Sequence, residues 1–195
     1  QGKVNTWEDV HPLWPDQPLK LFGAGSDSGT FDYFTEAIVG KSKSSRGDYT
    51  ASEDDNVLVQ GVTRDKGAIG YFGFAYYAEN SKKLKAVPIV EKAGKPAVSP
   101  SMDTVINGTY QPLARPIFIY VNAKSMAKPE VKEFIAYYLA NGAKLAREVK
   151  YVPLPENSYK VSADHLAKGK KGTVFGGVAE VGVTIEDLLK REAKL

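Results

Sequence analysis

The chain has 195 residues, with 26 Lys and Arg against 23 Asp and Glu for a net charge of +3, and 43% of its residues are hydrophobic and 25% charged. That is the mixture of an ordinary globular protein of one or two small domains. It holds no Cys and two His, His11 and His165, which excludes thiolate catalysis, zinc fingers and iron–sulfur clusters and leaves a His-based metal site dependent on carboxylates. The basic residues are spread along the chain, and no stretch approaches the roughly 18–20 apolar residues of a membrane helix, so neither nucleic-acid binding nor a membrane span is expected.

Position 1 is Gln rather than Met, which reads as a processed or cut chain. Trp7, Pro12, Trp14, Pro15 and Pro18 mark a turn-rich start in which residues 7–10 form one helical turn. Pro18-Leu19-Lys20-Leu21-Phe22 alternates as a short strand, Gly23-Ala24-Gly25-Ser26-Asp27-Ser28-Gly29-Thr30 is a loop of small residues, and Phe31, Phe34 and Ile38 recur at helical spacing behind Ser28 or Asp27 as N-cap. Residues 41–50 read as a loop, and Ser52-Glu53-Asp54-Asp55 opens a helix whose apolar residues are Val57, Leu58 and Val62, closed by Lys66-Gly67. A buried strand is expected over residues 68–74, a helical turn over 76–80, a strand over 85–90 and mostly loop over 91–115.

Residues 116–121, Pro-Ile-Phe-Ile-Tyr-Val, read as the strongest strand in the chain, continuous in β-favouring residues as a strand covered on both faces should be. Pro129 opens a helix with Val131, Phe134, Ile135, Tyr138 and Leu139 as its stripe and Asn141-Gly142 as its stop. A helix over 156–168, a glycine-rich loop over 169–177 and a terminal helix capped by Thr184-Ile185-Glu186-Asp187, with Leu188 and Leu189 inside, follow in order. Strands alternating with helices argue for an α/β layer architecture.

The chemistry concentrates at residues 23–30. A helix N-terminus carries unpaired N–H groups and a partial positive charge, and small residues let an anion approach them. Ser28 and Thr30 add hydroxyls and Gly29 leaves the backbone open, so the segment reads either as an oxyanion cradle or as a capped helix behind a flexible loop. It is not a nucleotide P-loop, because Thr35 stands where the glycine before Gly40-Lys41-Ser42 is required, nor a dinucleotide motif, because position 28 is Ser. Arg46, in a small-residue loop, can fork onto two oxygens of an anion or simply be solvated. The acids at 53–55 suit a helix start better than a metal loop. His11 and His165 lack the context of a nucleophilic triad, and no catalytic constellation emerges. Asn107-Gly108-Thr109 fits a glycosylation acceptor, a tripeptide frequent by chance.

Gly25-Ser26-Asp27-Ser28-Gly29-Thr30-Phe31-Asp32-Tyr33-Phe34 resembles the periplasmic phosphate-binding proteins that serve the phosphate ABC transporter. The likeness continues in order through Gly2-Lys3-Val4 with Trp7, residues 49–56, 67–72, 115–121 and 151–155. It implies a type II periplasmic-binding-protein fold, an α/β lobe with a mixed, mainly parallel sheet flanked by helices. Residues 1–123 would be the second, Ser-Gly-Thr-bearing lobe, and 124–195 the part that completes a first lobe whose N-terminal stretch is absent.

The resemblance assigns phosphate oxygens to Ser28, Gly29 and Thr30, with Asp27 beside them. Many relatives carry an Arg where this chain has Ala24, so Arg46 is the expected substitute, and Asp27, Asp32 and Asp48 are the candidates for accepting the phosphate's proton. It further implies a non-enzymatic receptor without cofactor or metal, located in a periplasm or on a cell surface, delivering phosphate to a membrane permease. One lobe alone should bind weakly, on the order of millimolar. An exposed apolar face on the 129–141 helix is expected, to be covered by the missing polypeptide or a second copy. The rival readings are an enzyme acting on a phosphorylated substrate and a protein-interaction module that has kept the fold.

Overall fold

The computed structural model describes residues 2–178 and 180–194 and divides into two compact units, Gln1–Val87 and Pro88–Leu195. The first unit opens with α1 (Trp7–Val10), a single turn closed by a capping box between Thr6 and Asp9. β1 (Lys20–Ala24) then leads into α2 (Gly29–Val39), whose N-cap is Ser28 and whose C-cap, Gly40, sits at φ 77°, where a side chain would be strained. β2 (Thr50–Ser52), α3 (Asp55–Arg64), β3 (Ala68–Gly70) and α4 (Phe74–Asn80) follow. The expected strand over 68–74 is thus three residues long, because Gly73 caps α4 and Phe74 belongs to the helix.

The three strands form a wholly parallel sheet in the order β2-β1-β3. Phe22 pairs with Thr50 and Ala24 with Ser52 on one side, and Lys20 pairs with Ala68 and Phe22 with Gly70 on the other. α3 packs on all three strands. It lies close because Gly61 has no Cβ: one there would stand 2.1 Å from the Phe22 ring. Leu58 on this helix is fully buried, and Val59 and the α2 residue Phe31 are nearly so.

In the second unit, β4 (Ile89–Val90) pairs antiparallel with β5 (Ala97–Val98), so the strand expected over 85–90 shrinks to its last two residues and finds its partner inside a stretch that reads as loop. α5 (Met102–Ile106) forms on the Val105-Ile106 core, capped by Ser101 and Thr104. A 3₁₀ turn (Ser125–Ala127) precedes α6 (Pro129–Glu148), and α7 (Glu156–Ala167) and α8 (Ile185–Glu192), the last capped by Thr184, close the chain.

Two expectations fail here, each for a physical reason. Residues 116–121 form no strand: neither sheet takes them as a neighbour, and Ile117 and Tyr120 are 68% and 75% exposed. Apolar continuity describes half of a ladder, and a strand exists only with its other half. The helix stop at Asn141-Gly142 is overrun as well. Asn141 donates its side-chain amide to the Tyr137 carbonyl at 2.9 Å, and Gly142 is buried against α7 rather than left-handed at a helix end. The helix then continues through Ala143, Leu145 and Ala146, all good helix formers.

Candidate oxyanion site

In the 2-1-3 strand order, β2 and β3 lie on opposite sides of β1, so the connections leaving the sheet diverge at the carboxyl end of β1. Open parallel sheets bind ligands in the crevice such a divergence creates. The segment that leaves β1 at this point is the small-residue loop, and it enters α2 directly.

Most of the loop's amides are taken. Gly25 N–H donates to Ser52 O at 3.1 Å, Ser28 N–H to Gly25 O at 3.1 Å and Thr30 N–H to Ser28 Oγ at 3.1 Å. Gly29 and Phe31 N–H, by contrast, meet no acceptor among the described residues. The structure therefore brings Asp27, Ser28, Gly29 and Thr30 together as one turn, in which Ser28 serves as helix cap while its hydroxyl hydrogen stays available. With the partial positive charge of an eleven-residue helix behind it, this turn can hold an oxyanion.

Arg46 takes a different place. Its Nε donates to Asp48 Oδ1 at 2.6 Å, Nη1 to the Val4 carbonyl at 2.7 Å and Nη2 to Asp48 Oδ2 and Asn5 Oδ1. The hydrogen bonds from Arg46 hold the Asp48 carboxyl down to about 2, from an ordinary 3.8. The guanidinium thus ties the N-terminal segment to the 46–48 loop, and its hydrogen bonds do not reach residues 27–30. What joins that loop to the turn is Tyr49, which the sequence reading passes over: its hydroxyl donates to Ala24 O at 3.0 Å and its ring lies parallel to Phe31 at 6.5 Å. Asp32 faces Lys43 across 3.9 Å.

Tyr71, at the end of β3, supports the turn from another side. Its ring covers Gly23, where a Cβ would stand 2.4 Å from Cε1, and stacks on Phe34 of α2 at 3.9 Å. Burial, with Tyr49 as a lesser contributor, pushes its hydroxyl pKa well up.

The acids at 53–55 are occupied structurally. Asp54 caps α3 by accepting Asn56 N–H at 2.9 Å, and Asp55 accepts Gly73 N–H at 3.1 Å. Burial raises the Asp55 pKa, against the pull of that amide and with help from the charges of Asp54 and Glu53. Among the described residues no group of three or more His, Asp or Glu is placed to hold a metal ion. His11 packs beside Trp14 and accepts Leu13 N–H at 3.2 Å, while His165 neighbours Lys170. No helix among the described residues is long and apolar enough to cross a membrane.

Comparison with known proteins agrees with the fold. The model of the PBP superfamily domain matches residues 1–141. The chain is 54% identical over 192 residues to the protein SphX of Synechococcus elongatus, covering 98% of this chain and 56% of SphX. It is 39% identical over 173 residues to the phosphate-binding protein PstS of Staphylococcus haemolyticus, covering 87% of this chain and 52% of PstS. It thus spans little more than half the length of these relatives.

Among solved structures, a possible phosphate-binding protein from Planctomyces limnophilus superposes with a TM-score of 0.70 at 47% identity, over 87% of this chain and 60% of that one. PstS from Borrelia burgdorferi superposes with a TM-score of 0.52 at 18% identity, over 79% of this chain and 59% of that one, a likeness of fold alone. With a parallel sheet whose diverging edge carries the Ser-Gly-Thr turn, and with a family model matching most of its length, the chain belongs to the PBP superfamily.

Proposed function

We propose that this chain carries one half of the binding site of an inorganic-phosphate receptor, a non-enzymatic protein that hands phosphate to the permease of an ABC transporter from a periplasm or outer cell surface. The observation that carries this reading is the pair of acceptor-free amides, Gly29 and Phe31, beside the Ser28 and Thr30 hydroxyls at the diverging edge of the sheet. The phosphate-binding relatives support it. Ser28, Gly29 and Thr30 hold the phosphate oxygens and Asp27 flanks them. Arg46 acts on the ligand only by leaving its partners Asp48 and Val4, and otherwise serves by fixing the N-terminal segment.

Residues 1–123 form the Ser-Gly-Thr lobe in this reading, and 124–195 contribute to the opposite lobe. The surface supports the need for further polypeptide. At 21.2 kDa the chain exposes 13003 Å², whereas even two separate compact units of half that mass would expose roughly 11,000 Å². Phe134 and Tyr137 on α6 are 63% and 61% exposed. A groove of about 770 Å³ runs between α6 and α7, lined by Leu139, Ala143, Tyr159 and Leu166 among others. The remainder of the first lobe, or a second copy, covers these faces.

Titration calorimetry with inorganic phosphate tests the reading. The chain should bind with a dissociation constant on the order of millimolar, since one lobe supplies only part of the hydrogen bonds that must replace the hydration shell. Ser28→Ala should abolish measurable binding while costing about 1 kcal/mol of stability through the lost cap. An unchanged phosphate isotherm in Ser28→Ala, or no phosphate heat above a chloride control in the parent, contradicts it.

A further inference from the structure

An acidic side chain stands at the cradle without a part in the function above. Glu53 directly follows Ser52, the residue of β2 paired with Ala24, so its backbone is fixed at the same carboxyl edge of the sheet as the β1–α2 loop. Its carboxylate turns onto that loop. Oε1 accepts Asp27 N–H at 3.2 Å, and the space beside Gly25 where a Cβ would stand is filled by the same group, with Oε1 2.0 Å and Cδ 2.7 Å from that point. Gly25 is what gives the carboxylate room.

This is the contact an oxyanion makes: an anionic oxygen on a backbone amide of the loop that leads into a helix start. The ion pairs of this unit, Lys20–Asp65, Lys43–Asp32 and Arg46–Asp48, leave Glu53 out, and its acidic neighbours Asp54 and Asp55 are engaged elsewhere. A phosphate on the Gly29 and Phe31 amides therefore arrives two to four residues along the loop from an uncompensated negative charge, which repels it.

We propose that Glu53 is a built-in electrostatic competitor for the oxyanion site: its carboxylate, seated on the Asp27 amide two residues before Gly29, opposes an incoming phosphate through its charge. This rests on the phosphate reading of the Ser28–Thr30 turn and adds to it a setting of affinity. The contact lowers affinity for every oxyanion and so shifts the phosphate concentration at which the site fills.

The test is calorimetric titration of inorganic phosphate into the full chain and into Glu53→Gln at low ionic strength. Gln keeps the side-chain length and an oxygen for Asp27 N–H while removing the charge. Binding should tighten roughly three- to tenfold, the effect of deleting one nearby like charge, and the gain should shrink in about 1 M salt, where screening reaches across roughly 3 Å. Glu53→Ala, which also removes the Asp27 contact, should move in the same direction. Equal or weaker phosphate binding by Glu53→Gln overturns the competitor role while leaving the phosphate reading standing. If neither parent nor variants respond to phosphate, the phosphate reading fails and this proposal with it.

Discussion

Replacing Leu58 by Ala should destabilise the first unit by about 3–4 kcal/mol and lower its melting temperature by roughly 12–30 °C. Leu58 is fully buried, and α3 packs on all three strands of the sheet. Few other residues share that load: the buried apolar side chains of this unit are Ala24, Phe31, Leu58 and Val59. A unit of under 90 residues has a total stability of roughly 4–13 kcal/mol, so losing one such side chain consumes a large share of it. Val57→Ala, one position earlier and exposed, is the control and should stay within about 0.5 kcal/mol. Thermal melts followed by tryptophan fluorescence read this unit selectively, because Trp7 and Trp14 both lie in it. A Leu58→Ala melt like that of Val57→Ala would show that α3 is not the core of the unit.

Gly142→Val should cost about 2–3 kcal/mol in the second unit and part α6 from α7. A Cβ at this position would stand 2.5 Å from Tyr159 Cε1 and 3.0 Å from Cδ1. The ring has little room to yield, since its hydroxyl also accepts Leu154 N–H at 3.3 Å and Leu154 is itself half-buried. Gly142→Ala separates the two terms involved. Its gain in helix propensity, about 1 kcal/mol, opposes a smaller clash, and the net change should be close to zero. Chemical denaturation followed by helical circular dichroism checks both. A Gly142→Val protein as stable as the parent would mean that the two helices do not meet through this glycine.

The elements legible in the sequence are those whose signals are local. Ser28 or Asp27 before a 3.6-residue apolar period, the run 52–55 before α3 and the run 184–187 at α8 announce helix starts, and the structure caps the three helices with Ser28, Asp54 and Thr184. The turn at residues 27–30 was legible for the same reason, because its donors belong to neighbouring residues. Pairing is not local. Residues 116–121 have the composition of a central strand and no partner, whereas Ala97-Val98 has little β signal and finds one in β4.

The same limit hid Glu53 and Tyr49. Each reaches the turn only because β2 lies beside β1 in a register that brings Ser52 level with Ala24, a relation that one chain's periodicity does not contain. The Asn141-Gly142 stop failed through a tertiary contact: a glycine that ends a helix and a glycine that admits a neighbouring ring look alike until Tyr159 is in place.

Amide-resolved NMR during a phosphate titration tests the oxyanion site most directly. Saturable downfield movement of the Gly29 and Phe31 N–H resonances, with the α6 and α7 amides unmoved, is the expected result. Phosphate-induced shifts that leave these two amides in place, or that scatter over lysine-rich surface without saturating, would contradict it.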